Sequence, residues 1–93
     1  MATPARHIGM TFTETLARPR GRSVPCVVVP DSGEVLGTRR AVQVEGTVDG
    51  HAVRLSLVPA GDGTHMALLR GPLTELLGKG VGQDVTVHLS RIA

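Results

Sequence analysis

The chain carries a faint repeat of itself. Residues 27–45 run through a β-branched stretch, Val27-Val28-Val29, then Pro30, then Asp31-Ser32-Gly33-Glu34-Val35-Leu36-Gly37, then a second stretch from Ala41 to Glu45. Residues 66–89 run the same way: Met66-Ala67-Leu68-Leu69-Arg70-Gly71, then Pro72-Leu73-Thr74-Glu75-Leu76-Leu77-Gly78, then Asp84 to Leu89. Glu34-Val35-Leu36-Gly37 falls on Glu75-Leu76-Leu77-Gly78. A unit of strand, helical turn and strand that occurs twice predicts two halves closing one small barrel about a pseudo-two-fold axis.

The material for that barrel is unusual. Ninety-three residues make one domain with room for a single modest core. The hydrophobic content of 41% and charged content of 19% describe a folded chain rather than a disordered one. Phe12 is the only aromatic residue, so Val, Leu, Ala and Ile must fill the interior. Such a core offers no platform for stacking bases.

Alternation places the strands. Residues 1–9 show no period and read as a flexible tail; residues 10–93 form the domain. Met10, Phe12, Glu14 and Leu16 share one face of a first strand. Ala17 to Arg22 is a basic loop. Ser23 to Val29 is apolar on both faces and reads as a central strand, with Pro25 marking an edge or bulge. Pro30 to Gly37 is a helical turn with a glycine stop. The third strand spans Ala41 to Val48, and Asp49-Gly50 is a tight-hairpin signal. Ala52 to Val58 returns with Val53, Leu55 and Leu57 inward. Pro59 to Thr64 turns again, His65 to Leu69 is a short strand, and Gly71 to Leu77 is a second helix. Asp84 to Ser90 closes the chain. The expected fold is mainly β: a small six-stranded closed barrel with two short helices, since closure removes exposed sheet edges.

Several of these runs resemble the DUF1905 family. The resemblance rests on Val44-Glu45-Gly46-Thr47-Val48-Asp49-Gly50, on Arg54-Leu55-Ser56-Leu57-Val58-Pro59-Ala60-Gly61-Asp62-Gly63-Thr64-His65, on Phe12-x-x-x-Leu16, on Val29-Pro30, and on Leu77-Gly78 with Gly82-Gln83-Asp84-Val85-x-Val87. It covers about residues 10–90. It implies a double-split β-barrel, an architecture shared with dimeric DNA-binding regulators in which each chain supplies one strand–helix–strand half. It carries no established chemistry and no catalytic residues; members occur alone or fused to a helical segment found in proteins loosely described as bacteriocin-protection proteins. This chain is aliphatic at positions such as Val53 where relatives tend to be aromatic, and has Glu14 where they tend to have a small residue.

Candidate site residues are few. Glu14 shares a face with apolar neighbours; in an apolar cavity a carboxylate could serve as acid or base. Against that stands a solvated or arginine-paired Glu14 at a sheet edge. His65 could face a cleft with Arg54 and Arg70, or lie at the surface. Arg18, Arg20 and Arg22 form one basic loop and Arg39 and Arg40 another; arginine's planar fork suits phosphate and carboxylate. His7, His51, His65 and His88 have no metal-ligand spacing with each other or with Cys26, so no metal is expected, and no motif calls for a cofactor. Cys26, within Pro25-Cys26-Val27, reads as a buried inert thiol. The glycine-rich 59–64 turn matches no phosphate-binding pattern, and Ser23, Ser56 and Ser90 lack a nucleophile-elbow context.

Formal net charge is only +2, and nine of the ten basic residues are arginine. That balance argues against nucleic acid as a partner and suggests a GC-rich, bacterial genome. No stretch reads as a signal peptide or approaches the roughly 20 apolar residues of a membrane span, so the expected location is cytoplasmic. The leading expectation is a barrel that binds a small molecule or a protein partner, as monomer or homodimer, and does no chemistry. The alternatives are a cyclase-, isomerase- or hydratase-like enzyme using Glu14, and a DNA-binding regulator using the arginine loops.

Overall fold

The computed structural model describes residues 7–93. Six strands and two short helices follow one another as β1 (His7–Thr15), β2 (Cys26–Val29), α1 (Ser32–Leu36), β3 (Val42–Val48), β4 (His51–Pro59), β5 (His65–Leu68), α2 (Gly71–Leu77) and β6 (Asp84–Ile92). Every pairing is antiparallel, in the order β1-β6-β3-β4-β5-β2. One bridge, Ala17 to Cys26, joins the two ends of that order through bonds of 2.9 and 2.7 Å. The sheet is thereby a nearly closed barrel.

The repeat is a symmetry of this ring. Exchanging β1 with β4, β2 with β5 and β3 with β6 maps every strand neighbour onto another strand neighbour. The two strand–helix–strand repeats, β2-α1-β3 and β5-α2-β6, meet where β3 pairs with β6 and where β2 pairs with β5. The matched helices end in the same way, with Gly37 at φ 68° and Gly78 at φ 66°, a left-handed stop that glycine adopts without steric cost.

Aliphatic residues fill the interior. Leu16, Val27, Val29, Leu36, Val44, Val48, Leu55, Leu57, Leu69, Val85, Val87 and Leu89 are buried, with Met10 and Phe12 partly buried against them. Without aromatic bulk the strands must come close. At Gly46 they come closer than a side chain permits: a Cβ there would lie 1.9 Å from the His88 carbonyl oxygen. The β3–β6 register shifts at this point, between Glu45 and Gly46.

Two expectations need correction. Residues 7–9, read as tail, belong to β1, which turns at Gly9 (φ 68°); residues 1–6 of that tail lie outside the described residues. Ser23–Val29, read as a central strand, is a four-residue strand beginning at Cys26 that stands at the end of the sheet order. It pairs with β5 along its length, while only the Ala17–Cys26 bridge meets its other edge. Val28 is 48% exposed.

The Asp49-Gly50 turn is tied to the other half of the molecule. Asp49 donates its N–H to the Thr86 carbonyl and accepts the Thr86 N–H on Oδ1, both at 2.8 Å. Its other carboxylate oxygen meets Lys79 Nζ at 2.8 Å, and Lys79, the chain's only lysine, also donates to the Asp84 carbonyl at 2.7 Å. Lys79 first, and the Thr86 amide second, hold the Asp49 carboxyl below its usual range.

Two outcomes follow from these contacts. Gly46→Ala should destabilise by about 3 kcal/mol, the upper end of overpacking costs, because backbone rather than a movable side chain blocks the methyl. Gly80→Ala, where nothing lies within 4 Å, should stay within about 0.5 kcal/mol of the parent; equal urea midpoints for the two variants would contradict the close approach. A carboxyl depressed in the folded state stabilises above its unfolded pKa of about 3.9 and loses that effect as pH falls through the folded pKa. The stability difference between the parent and Asp49→Asn should therefore be constant near neutrality, about 1 kcal/mol, and shrink below about pH 4. Glu45 and Asp62 are depressed in the same direction, so the difference between the two proteins, not the parent's acid limb, is the informative quantity.

Candidate functional site

The hairpin turn sets the charge pattern of the outer sheet face. Counting outward from Asp49-Gly50, Val48 opposes His51 and Glu45 opposes Arg54. On its other side Glu45 opposes Arg91 of β6, and Arg91 is followed in β1 by His7. A single row therefore crosses four strands: His7, Arg91, Glu45, Arg54. Glu45 takes Arg91 at 2.7 Å and Arg54 only at 3.6 Å. The Arg91 hydrogen bond is the main cause holding the Glu45 carboxyl below its usual range, and Arg54 adds least. An open groove of about 720 Å³ lies over this row, lined by His7, Glu45, Thr47, Val53, Ser90 and Arg91 among others.

Beyond Arg54 the surface dips twice more. One depression of about 200 Å³ is lined by Val53, Arg54, Leu55, Ser56, Leu68, Arg70 and Leu73. Its neighbour, of about 270 Å³, shares Ser56, Leu68 and Arg70 and extends to Val42 and Gln43. Gln43 Nε2 donates to Ser56 Oγ across β3 and β4 at 2.9 Å. The fold thus brings Arg54 and Arg70 to one site from β4 and from the residue preceding α2. Arg70 makes no ion pair with any described residue, and its side chain does not cap the helix. The floor is aliphatic and the rim cationic.

His65, expected beside those arginines or at the surface, is at neither place. It is 0% exposed and bound on three sides. Its Nε2 lies 2.8 Å from the Arg40 carbonyl, and a carbonyl only accepts, so Nε2 carries the proton. Nδ1 then accepts the Ser32 hydroxyl at 2.9 Å, while the same Ser32 oxygen accepts the His65 backbone N–H at 2.6 Å. A serine–histidine contact of this length is the geometry of an activated nucleophile. Here both residues are 0% exposed, and the contact joins the first turn of α1 to β5 and to the residues before β3. Ser32 was not legible as a partner because it sits 33 positions away from His65, across the pseudo-repeat.

The other candidates are dispersed. Glu14 is half-buried on the inward row of β1, opposite Val85, and lines none of the grooves described. No ion pair among the described residues reaches it. The hollow apolar interior that would make it an acid or base is packed with leucine and valine. Arg18, Arg20 and Arg22 are exposed in the β1–β2 loop, beside the start of β2; Arg39 and Arg40 are exposed beyond its far end, after α1. They form no continuous stripe. Arg39 borders a shallow notch of about 350 Å³ with Asp31, Glu34 and Asp62, where carboxylates outnumber it. Cys26 is buried; burial pushes its thiol up, with Arg22 opposing, and Sγ donates to the Val24 carbonyl at 3.2 Å. No three His, Cys, Asp or Glu side chains among the described residues gather to hold a metal, and no helix there is long and apolar enough to cross a membrane.

Ser32→Ala tests the structural role of the buried pair. It strands the His65 N–H and Nδ1 in the interior and should cost about 1–3 kcal/mol, read as a lowered urea midpoint with unchanged m-value. A change under about 0.5 kcal/mol, ordinary for a surface site, would contradict it.

No curated protein matches the sequence. The model of one family, described as a domain of unknown function, matches residues 12–89. That span runs from within β1 to within β6, with Glu45, the Arg54–Arg70 groove and the Ser32–His65 contact inside it and His7 and Arg91 of the charged row outside it, and the chain belongs to the DUF1905 family.

Proposed function

We propose that the domain is a binding module that captures an anionic ligand or partner segment between Arg54 and Arg70 and carries out no chemistry of its own. The observation behind this reading is one of charge. Two guanidinium groups flank a single groove, and neither has a tight carboxylate partner among the described residues: Arg54 reaches Glu45 only at 3.6 Å, and Arg70 reaches none. Arginine's paired donors suit a carboxylate or phosphate at such a rim. The depressions are open and smaller than the roughly 300–1,000 Å³ of pockets that engulf a small molecule. They favour a ligand laid along the surface. The enzyme reading has no hollow around Glu14 to support it, and the DNA reading has two separated arginine loops with a net charge of +2.

Titrating glutarate into the isotope-labelled protein tests the reading by NMR. Shifts should gather at the Arg54 and Arg70 side-chain Nε–H groups and at the Ser56 and Leu68 amides. Affinity for so small a probe should be millimolar, about −4 kcal/mol, and fall with added salt. The Arg54→Ala, Arg70→Ala double variant should fold and show none of these shifts. Shifts centred elsewhere, or none, would overturn the assignment.

A further inference from the structure

Hydrogen-bond parity along β4 shows what kind of ligand the groove suits. In an antiparallel ladder, alternate residues turn their N–H and C=O toward the same neighbour. Val48 and His51 flank a two-residue turn, so His51, Val53, Leu55 and Leu57 turn theirs toward β3. Ala52, Arg54, Ser56 and Val58 turn theirs the other way. Ala60 confirms this phase, since its N–H donates to the Thr64 carbonyl on the β5 side at 2.9 Å. The β4–β5 ladder, however, begins only at Leu57. Before it the two strands part: the non-hydrogen-bonded pair Leu57–Ala67 has the Ser56 carbonyl accepting the Leu68 N–H, and beyond that the main-chain groups of Ala52 and Arg54 meet no strand partner on this side among the described residues. The Arg54–Arg70 groove lies along that stretch.

The charge row extends into the same gap. It reads Arg91, Glu45, Arg54 on successive strands. A further strand beside β4 would continue it, and the residue opposite Arg54 would complete the alternation as a carboxylate. The opposite face of that strand would look onto Val53, Leu55, Leu68 and Leu73. A second copy of this chain is a poor occupant: pairing two β4 edges about Arg54 sets like charges opposite each other, which is destabilising.

We infer that the occupant is an extended peptide segment with carboxylates alternating with aliphatic side chains, added as a strand to the free edge of β4 at Ala52 and Arg54. This rests on the anion-binding reading above and deepens it. Main-chain bonds supply attachment, and the alternation of side chains supplies selection.

The test is a capped hexapeptide of alternating glutamate and valine, titrated by NMR beside two analogues. One analogue is N-methylated at every glutamate, the other at every valine; charge and side chains are unchanged. Strand addition requires that only one set of peptide amides face β4, because a one-residue slip would turn the carboxylates to the wrong face. The parent peptide should shift the Ala52 and Arg54 amides and slow their hydrogen exchange. One methylated analogue should bind at least tenfold more weakly, and the other should bind as the parent does. Equal binding by all three overturns strand addition while leaving anion capture standing, as does failure of the peptide where glutarate binds. Failure of both peptide and glutarate removes the anion reading as well.

Discussion

The contact on which the rest depends is the pairing of β3 with β6. It is one of the two places where the strand–helix–strand repeats meet, and it is the longer one. A barrel of aliphatic residues has little bulk to bridge a wide interior, so its strands must approach until valine and leucine touch across it. Gly46 is where that requirement is most severe, with a backbone carbonyl in the place of a side chain. The same strand pairing brings Gly46 against His88, sets Glu45 beside Arg91 across the register shift between Glu45 and Gly46, and carries Asp49 to Thr86. Core, charge row and turn clamp are thus consequences of one alignment of two strands.

That alignment explains which parts were legible from residue order. The Asp49-Gly50 turn fixes the β3–β4 register, so inward Val53, Leu55 and Leu57 and the pairing of Glu45 with Arg54 follow by counting. Glycines at 37 and 78 stop their helices in the left-handed conformation that such positions invite. Alternation read β1 correctly from Met10 but stopped short of His7, because Gly9 breaks the period. The β2 stretch misled for a different reason: an apolar run looks the same whether its strand is paired along both edges or, as here, along one, with Val28 left exposed. Glu14 lies on the row where it was read, yet its surroundings depend on how completely the interior fills, which no local pattern reports.

The polar site residues divide along the same line. Arg54 and Arg70 meet because β4 and the approach to α2 flank one split, and both were named from their place beside a cleft. His65 was named with them and belongs to a different structure. Its partners, Ser32 and the Arg40 carbonyl, come from the other repeat. Contacts between repeats depend on how the halves dock, and a weak internal echo predicts that docking without its side-chain pairs. The buried pair still bears on the site indirectly, since it ties α1 and the entry to β3 onto β5, the strand that forms one wall of the split.

Pseudo-symmetry gives the barrel two splits, and they have not remained alike. Beside β4 the outward residues are Arg54 and Ser56, with Arg70 across the gap. Beside β1, its counterpart, the outward residues are Thr11, Thr13 and Thr15, each bonded to β6 through His88, Thr86 and Asp84 at 2.8, 2.9 and 2.6 Å. Those hydroxyls are engaged within the sheet and carry no charge, whereas at the other edge Arg54 meets Glu45 only at 3.6 Å and Arg70 has no ion pair among the described residues. A fold that needed only closure would have no reason to treat equivalent edges differently. On the proposed reading the asymmetry marks the β4 split as the binding edge, where retained cations would also keep an unpaired edge from joining its own copies. On that reading the same two arginines answer two demands at once: they guard the edge against self-association and leave it open to a partner of opposite charge.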